Sequence, residues 1–383
     1  MKKICFITSS RADYGLLSSL IFRVKKSKNL KLQILATGSH LSKKYSYTIQ
    51  EIIDDGFVVD QKVVFNTNES THINNQISET IKKIHISLKK LKPHAVIILG
   101  DRFEIFAAAI ASFFLKIPII HIHGGEVTQG AFDDNLRHSI TKFASLHFVS
   151  NNTHKKRVVQ LGEDPSTVYN VGSLGVDNIK NIKFISKIDL EKKYNFTFRK
   201  KNIVVSLHPE TFEENKKYIQ EFILSLNEIK KIKNIFIFLT GSNLDPDSKK
   251  ISTLFKNFNK KNSDISIYIE SLGKKDYLSL LKYADLIIGN SSSGIIEAPS
   301  LKTKTLNIGN RQKGRLQSRS VYNCEFKKNT IMKMVFRLLK ENKKDEKNFF
   351  HNLYEKQQTS KNIMTILKKK LKKKNEHKVF FDL

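Results

Sequence analysis

The chain has 383 residues, 40% hydrophobic and 27% charged, which is enough to bury the cores of two ordinary domains. No apolar run approaches the roughly 18 residues of a membrane span, and Met1-Lys2-Lys3 is followed by too short an apolar run for a secretory leader, so a cytoplasmic protein is expected. The formal charge of +31, from 67 Lys plus Arg against 36 Asp plus Glu, would suit a polyanion, yet the excess is lysine scattered through every segment rather than gathered into a nucleic-acid-binding patch.

Residues 3–9 (KICFITS) form a short apolar run ended by Ser10, and Arg11-Ala12-Asp13-Tyr14-Gly15 opens a helical pattern through Leu16, Leu17, Leu20 and Ile21. Residues 32–37 lead into Gly38-Ser39-His40, and 68–91 read as a long helix stopped near Pro93. Three more strands follow at 95–99, 117–122 and 146–149, each with helix-like sequence behind it. The periodicity weakens over 177–201 and resumes with strands at 202–207, 235–240, 265–269, 286–288 and 305–308. Cys5 and Cys324 lie in such runs, far apart in sequence, and read as buried small hydrophobes rather than a disulfide or metal pair.

Strands alternating with helices predict parallel sheets covered on both faces. The fold class is therefore α/β, with two doubly wound Rossmann-like domains at 1–180 and 181–360 facing each other across a cleft. A basic tail follows at 361–383. In the tail Ile363, Leu367 and Leu371 make a narrow apolar stripe among Lys368, Lys369, Lys370, Lys372, Lys373 and Lys374, a stripe expected to pack on the protein rather than on a membrane.

Ligands of such sheets sit beyond the carboxyl ends of the strands, so the residues just past each run matter most. The first half supplies Ser10 and Arg11, then Asp101 and Arg102, then His121, His123 and Glu126, and after them Asp133, Asp134, Arg137 and His138. Carboxylates and imidazoles are the groups used for proton transfer. Of His121 and His123, which alternate along a strand, one at most is expected in the cleft.

The second half supplies His208-Pro209-Glu210, Gly241-Ser242-Asn243, the stretch GNSSSGIIEAPS at 289–300, and Arg311 with Arg315. Three serines and a glycine at the start of a helix make a cradle for phosphate, with Glu297 about two turns on to meet a ribose hydroxyl. Any one of these residues has a plainer use: Ser291 or Asp101 as a helix cap, a histidine satisfied in the core, an arginine at the surface. Two complementary sets are harder to explain that way. His121-Ile122-His123 has no second His or Cys cluster to complete a zinc shell, so no metal is expected.

The motifs SSRADYGLL (9–17), TGSHL (37–41), LGDRFE (99–104), HIHGGE (121–126), DDNLRHSITK (133–142), HPET (208–211), GNSSSGIIE (289–297) and NIGNRQKGR (307–315) together resemble the hydrolysing UDP-N-acetylglucosamine 2-epimerases of bacterial sialic acid synthesis. The resemblance runs in order to about Ser320. It implies a fold similar to the two-domain GT-B glycosyltransferases, no cofactor, and a dimer or tetramer. It also implies conversion of UDP-N-acetylglucosamine and water to N-acetylmannosamine and UDP through a 2-acetamidoglucal.

By the same resemblance Asp101, Glu126 and Asp133 are acid/base groups, and His208 and Arg311 stabilise the leaving diphosphate. Ser291 and Ser292 bind phosphate, Glu297 the ribose, and Arg11 and Arg102 line the cleft. Animal and non-hydrolysing members carry a glutamate where this chain has His123, so transfer of the C2 proton falls to His123 or Glu126. A sister branch with the same motifs acts on UDP- or GDP-linked 2,4-diacetamido-2,4,6-trideoxyglucose on the way to legionaminic acid. A GT-B glycosyltransferase would use the same nucleotide cradle but transfer the sugar to an acceptor. A nucleic-acid-binding protein would need basic stretches interleaved with aromatics, and these are absent.

Overall fold

The computed structural model describes residues 1–42, 47–64, 73–128, 133–210, 217–241, 248–341, 348–371 and 378–383. Apolar runs of four to eight residues, broken by glycine and polar turns, become two all-parallel sheets. The first contains β1 (Lys2–Thr8), β2 (Leu30–Thr37), β3 (Gln61–Val63), β4 (Ala95–Leu99), β5 (Ile119–Ile122), β6 (Leu146–Val149) and β7 (Val168–Asn170) in the order β3-β2-β1-β4-β5-β6-β7. The second contains β8 (Lys201–Ser206), β9 (Ile235–Thr240), β10 (Ser266–Ile269), β11 (Leu286–Gly289), β12 (Lys304–Ile308) and β13 (Val321–Cys324) in the order β10-β9-β8-β11-β12-β13.

Both orders reverse direction once, between β1 and β4 in the first sheet and between β8 and β11 in the second. Such a switch point opens a crevice at the carboxyl ends of the two central strands. The strands are apolar on both faces because helices cover both. In β1, Ile4 and Phe6 join the core under helices Arg11–Lys25 and Thr359–Lys370, while Cys5 and Ile7 join the opposite core with Ile84, Leu88 and Ile105. In the second sheet Ile203 and Val205 face one core and Val204 the other.

The chain forms two compact units. One comprises 1–126, 133–178 and 354–383, and the other 127–132 and 179–353. The sequence pattern puts the boundaries at 180 and 360, with a separate tail from 361. In the structure the chain from Tyr354 onward belongs to the first unit. Ile363, Met364 and Leu367 are buried with Leu20, Ile21 and Val24, and Leu371 packs at the rim of that core. Lys372, Lys373 and Lys374 lie outside the described residues. Further on, Lys378 Nζ donates to the carbonyls of Lys142 (2.6 Å) and Ala144 (2.7 Å) and pairs with Glu163 at 2.7 Å, tying the last described residues to the end of helix Asp133–Phe143.

The weakly periodic stretch at 177–201 holds the end of one short helix, Leu174–Asn181, and all of another, Lys187–Tyr194, the second capped by Ser186, whose hydroxyl accepts from Asp189 N. β3, β7 and β13 are three- or four-residue edge strands of mixed polarity, with too few apolar positions to stand out from their flanks. The long helix expected at 68–91 runs Ile73–Leu91, and 68–72 fall outside the described residues. Cys5 is fully buried, and burial pushes its thiol far above the usual range. Cys324, expected to be buried as well, is only partly so, and its thiol is pushed up to about 12.

Candidate functional site

At the end of β1, Ser10 and Asp13 form a capping box on helix Arg11–Lys25. The Asp13 carboxylate does more than cap. It accepts from Ser9 N (2.9 Å), Ser9 Oγ (2.9 Å), Ser10 N (3.0 Å) and Thr8 Oγ1 (2.5 Å). The Thr8 hydroxyl lies 3.0 Å from His40 Nε2, and His40 Nδ1 lies 3.0 Å from Thr48 Oγ1. This buried network fixes the turn that carries Arg11, which is partly exposed. Arg102 pairs with the buried Glu104 (Nε to Oε2, 3.2 Å), one of the acids not singled out from the sequence.

Between β4, β5 and helix Asp133–Phe143 the hub is Arg137, 1% exposed. Its Nη2 donates to Asp101, and its Nη1 donates to Asp134 and to the Glu126 carbonyl (2.8 Å for the last). Burial alone would disfavour the charge on this guanidinium. Asp101, Glu126 and Asp134 outweigh that and hold it protonated beyond the ordinary arginine range. One cation thus brings the ends of two adjacent strands together with the first turn of a helix. Asp133 opens that helix.

The two histidines differ from the expected alternation. His121 is fully buried, with Nε2 2.9 Å from Gly100 O and Nδ1 3.2 Å from Thr141 Oγ1; burial lowers its pKa to about 3, so it is a neutral structural group. His123 is past the end of β5, in the left-handed region at φ +67°, so strand alternation does not govern it. Its Nδ1 lies 3.5 Å from Glu126 Oε1. Glu126 Oε1 also accepts from Ser150 Oγ at 3.3 Å, and Ser150 Oγ is 2.9 Å from His154 Nδ1.

In the second unit Asn290, fully buried, clamps two of the expected residues. Its Oδ1 accepts from His208 N (2.7 Å) and its Nδ2 donates to His208 O (2.9 Å), joining the ends of β8 and β11. The Asn290 carbonyl accepts from Arg311 Nη1 (3.1 Å) and Gln312 Nε2 (2.9 Å). From the other side Glu210 Oε1 accepts from Asn310 N (2.7 Å) and Arg311 N (3.0 Å). His208, Asn290 and Arg311 are therefore one assembly. Gly289, at φ +136°, permits it, because a Cβ there would run into the Ser206 carbonyl.

The serine stretch needs a correction. Its helix is a single turn, Ser293–Ile296, followed by a 3-10 turn Ala298–Leu301, so Glu297 stands at the end of that turn and not two turns in. A macrodipole grows with aligned peptides, and four residues supply little. Local groups remain: Ser292 makes no capping bond through its side chain, Ser291 Oγ is a long 3.4 Å from Ser293 N, and the Tyr277 hydroxyl pairs with Ser293. Ser242 and Asn243 lie outside the described residues, as does Thr211.

Glu104, Asp13, Ser150 and His154 complete these assemblies without standing among the strand-end candidates, while Arg137, Glu210 and Asn290 stand among them with no role assigned. Some signals were present. Asp134 and Arg137 are spaced i, i+3 on one helix face, and Ser150-Asn151 ends an apolar run just as Asp101 does. Among the described residues no helix is long and apolar enough to cross a membrane.

The sequence and the fold both have counterparts among known proteins. The family model described as UDP-N-acetylglucosamine 2-epimerase matches residues 23–368. An Escherichia coli protein named polysialic acid biosynthesis protein P7 is 39% identical over 396 aligned positions, covering 100% of this chain and 98% of that protein. A Campylobacter jejuni protein named GDP/UDP-N,N'-diacetylbacillosamine 2-epimerase (hydrolyzing) is also 39% identical, over 85% of this chain and 84% of its own. Among solved structures, Staphylococcus aureus MnaA with UDP superposes with a TM-score of 0.81 at 18% identity, covering all of both chains, which supports the GT-B-like pair of parallel sheets. Two sheets with the same switch-point topology, their polar strand ends, and a match spanning nine-tenths of the sequence lead to one conclusion: the chain belongs to the UDP-N-acetylglucosamine 2-epimerase family.

Proposed function

We propose that this enzyme is a hydrolysing 2-epimerase that converts UDP-N-acetylglucosamine and water to N-acetylmannosamine and UDP for sialic acid synthesis. The observation that carries the reading is that Asp101 and Glu126 follow adjacent strands and that the buried Arg137 ties them together, donating to the Asp101 carboxylate and to the Glu126 backbone carbonyl.

In the first half-reaction the C2 proton leaves to a base, the C1–O bond breaks, and UDP departs, leaving a 2-acetamidoglucal. Water then adds to C1 while C2 is reprotonated from the opposite face. Opposed proton transfers call for acid/base groups on both faces of the ring, and Asp101, Asp133 and Glu126 fill these roles, with His123 beside Glu126 at 3.5 Å. Charge developing on the diphosphate falls to Arg311 and His208, which Asn290 and Glu210 hold in place. Ser291 and Ser292 contact phosphate, Glu297 the ribose, and Arg11 and Arg102 border the sugar. The UDP held by the S. aureus neighbour supports a uridine nucleotide here. The same reading includes a dimer or tetramer, which light scattering measures.

A second reading keeps the chemistry and changes the sugar to a UDP- or GDP-linked 2,4-diacetamido-2,4,6-trideoxyglucose. It is favoured by the C. jejuni relative, as identical to this chain as the E. coli one. Proton NMR of the protein in D2O with each sugar nucleotide separates them. Free N-acetylmannosamine with deuterium at C2, plus UDP, supports the first reading. Release of the trideoxy-mannose alone moves the enzyme to the second, and release of the nucleoside diphosphate with the sugar joined to an acceptor and its C2 configuration unchanged overturns both.

A further inference from the structure

Behind Glu126 runs a chain of buried polar side chains that the proposed reaction leaves without a role. Asn151 is the N-cap of helix Asn152–Gln160, and its Oδ1 accepts from His154 N at 2.9 Å. With the oxygen committed to that backbone N–H, the amide NH2 is what faces His154 Nε2, 3.3 Å away, so Nε2 is the acceptor. A neutral imidazole that accepts at Nε2 carries its proton on Nδ1. That nitrogen lies 2.9 Å from Ser150 Oγ and donates to it. The Ser150 hydroxyl then turns its own proton to Glu126 Oε1 at 3.3 Å. One backbone N–H thereby sets the direction of every hydrogen bond as far as the carboxylate.

We propose that Ser150 and His154 are positioning residues that hold Glu126 in its ionised form and aimed at His123. The inference rests on the reading of Glu126 as an acid/base group. A carboxylate that accepts a hydroxyl proton keeps its charge to lower pH. Among the described residues it also faces His123, with Nδ1 at 3.5 Å, and Arg137, which donates to the Glu126 carbonyl and is tied to Asp101 and Asp134; Arg157 donates to the neighbouring Gly125 carbonyl. All four members of the chain are buried: Glu126 4%, Ser150 1%, Asn151 7% and His154 3% exposed. The loop and helix also sit in direct contact, since a Cβ on Gly125, at φ +74°, would stand 2.5 Å from the His154 carbonyl.

Two measurements on the full chain test this. In 15N-resolved NMR of the imidazoles, His154 is expected as the neutral Nδ1–H tautomer, and Asn151→Asp, which removes the NH2 donor, should shift it away. A wild-type His154 with its proton on Nε2 overturns the proposal, whether or not the protein turns over any sugar nucleotide. In steady-state kinetics, Ser150→Ala is expected to lower kcat about tenfold with little change in KM, and to move the acid limb of the pH profile up by about one unit. Ser150→Thr, which keeps the hydroxyl, should bring the limb back. UDP affinity and melting temperature check that the variants fold. An unmoved limb in a folded Ser150→Ala overturns the inference and leaves the epimerase reading intact, whereas a wild type that releases no 2-epimer from any of the sugar nucleotides counts against the epimerase reading itself.

Discussion

At the carboxyl end of the first sheet, charge is answered by charge. Asp101 and Asp134 share Arg137, and Arg102 holds Glu104. At the end of the second sheet the organising groups are an uncharged amide and a carboxylate that receives backbone N–H groups: Asn290 joins His208 to Arg311, and Glu210 gathers the amides of Asn310 and Arg311. The first arrangement gathers carboxylates around a buried cation, and the second sets backbone donors in place. Proton transfer needs the one, and anion binding needs the other.

The sharpest way to break this division is Asp101→Asn, expected to lower kcat by about 10²–10⁴-fold while leaving UDP affinity within about twofold. Turnover assays beside calorimetric UDP titration read it, and near-normal kcat would remove Asp101 from the mechanism. Arg137→Met should destabilise the fold by about 3 kcal/mol, the low end for a broken buried ion pair because its two aspartates are about a quarter exposed and can hydrate. Urea unfolding measures that loss, and turnover should fall with it.

A smaller effect tests the neutral state of His121. Its folded pKa, about 3, lies below its ordinary 6.5, so the unfolded chain binds the proton first. The contribution is complete above pH 6.5 and is lost as pH falls towards 3, at a slope of about 1.4 kcal/mol per pH unit within the window. Burial lowers His40, His138 and His147 in the same direction, so His121→Gln should reduce the measured slope by one proton without removing it. Smallest is Ser291→Ala with Ser292→Ala, expected to weaken UDP by about 1–2 kcal/mol in calorimetry with kcat nearly kept. Unchanged affinity would reduce the serine stretch to a turn.

The parallel sheets were legible because strands buried on both faces are written as unbroken apolar runs, and the strand ends followed from the topology. Short edge strands such as Gln61–Val63 were not, since three residues of mixed polarity carry no period. Asp101, Glu126, His208 and Arg311 could be picked out because each follows a strand. His154 sits inside a helix, where a buried histidine looks in sequence like any polar residue on a solvated face, and Arg137, though among the candidates, shows nothing in sequence of its burial. Glu297 was misplaced because Ala298-Pro299 ends the helical turn that the apolar spacing extended.

The return of the chain after Tyr354 to the first unit also orders events during synthesis. Helix Thr359–Lys370 completes the core over Leu20, Ile21 and Val24, and Lys378 reaches the helix that bears Arg137, so the ribosome makes nearly the whole second unit before the first can close. The nascent first half must therefore wait with the apolar face of its opening helix uncovered, and during that interval a chaperone or premature association has access to it.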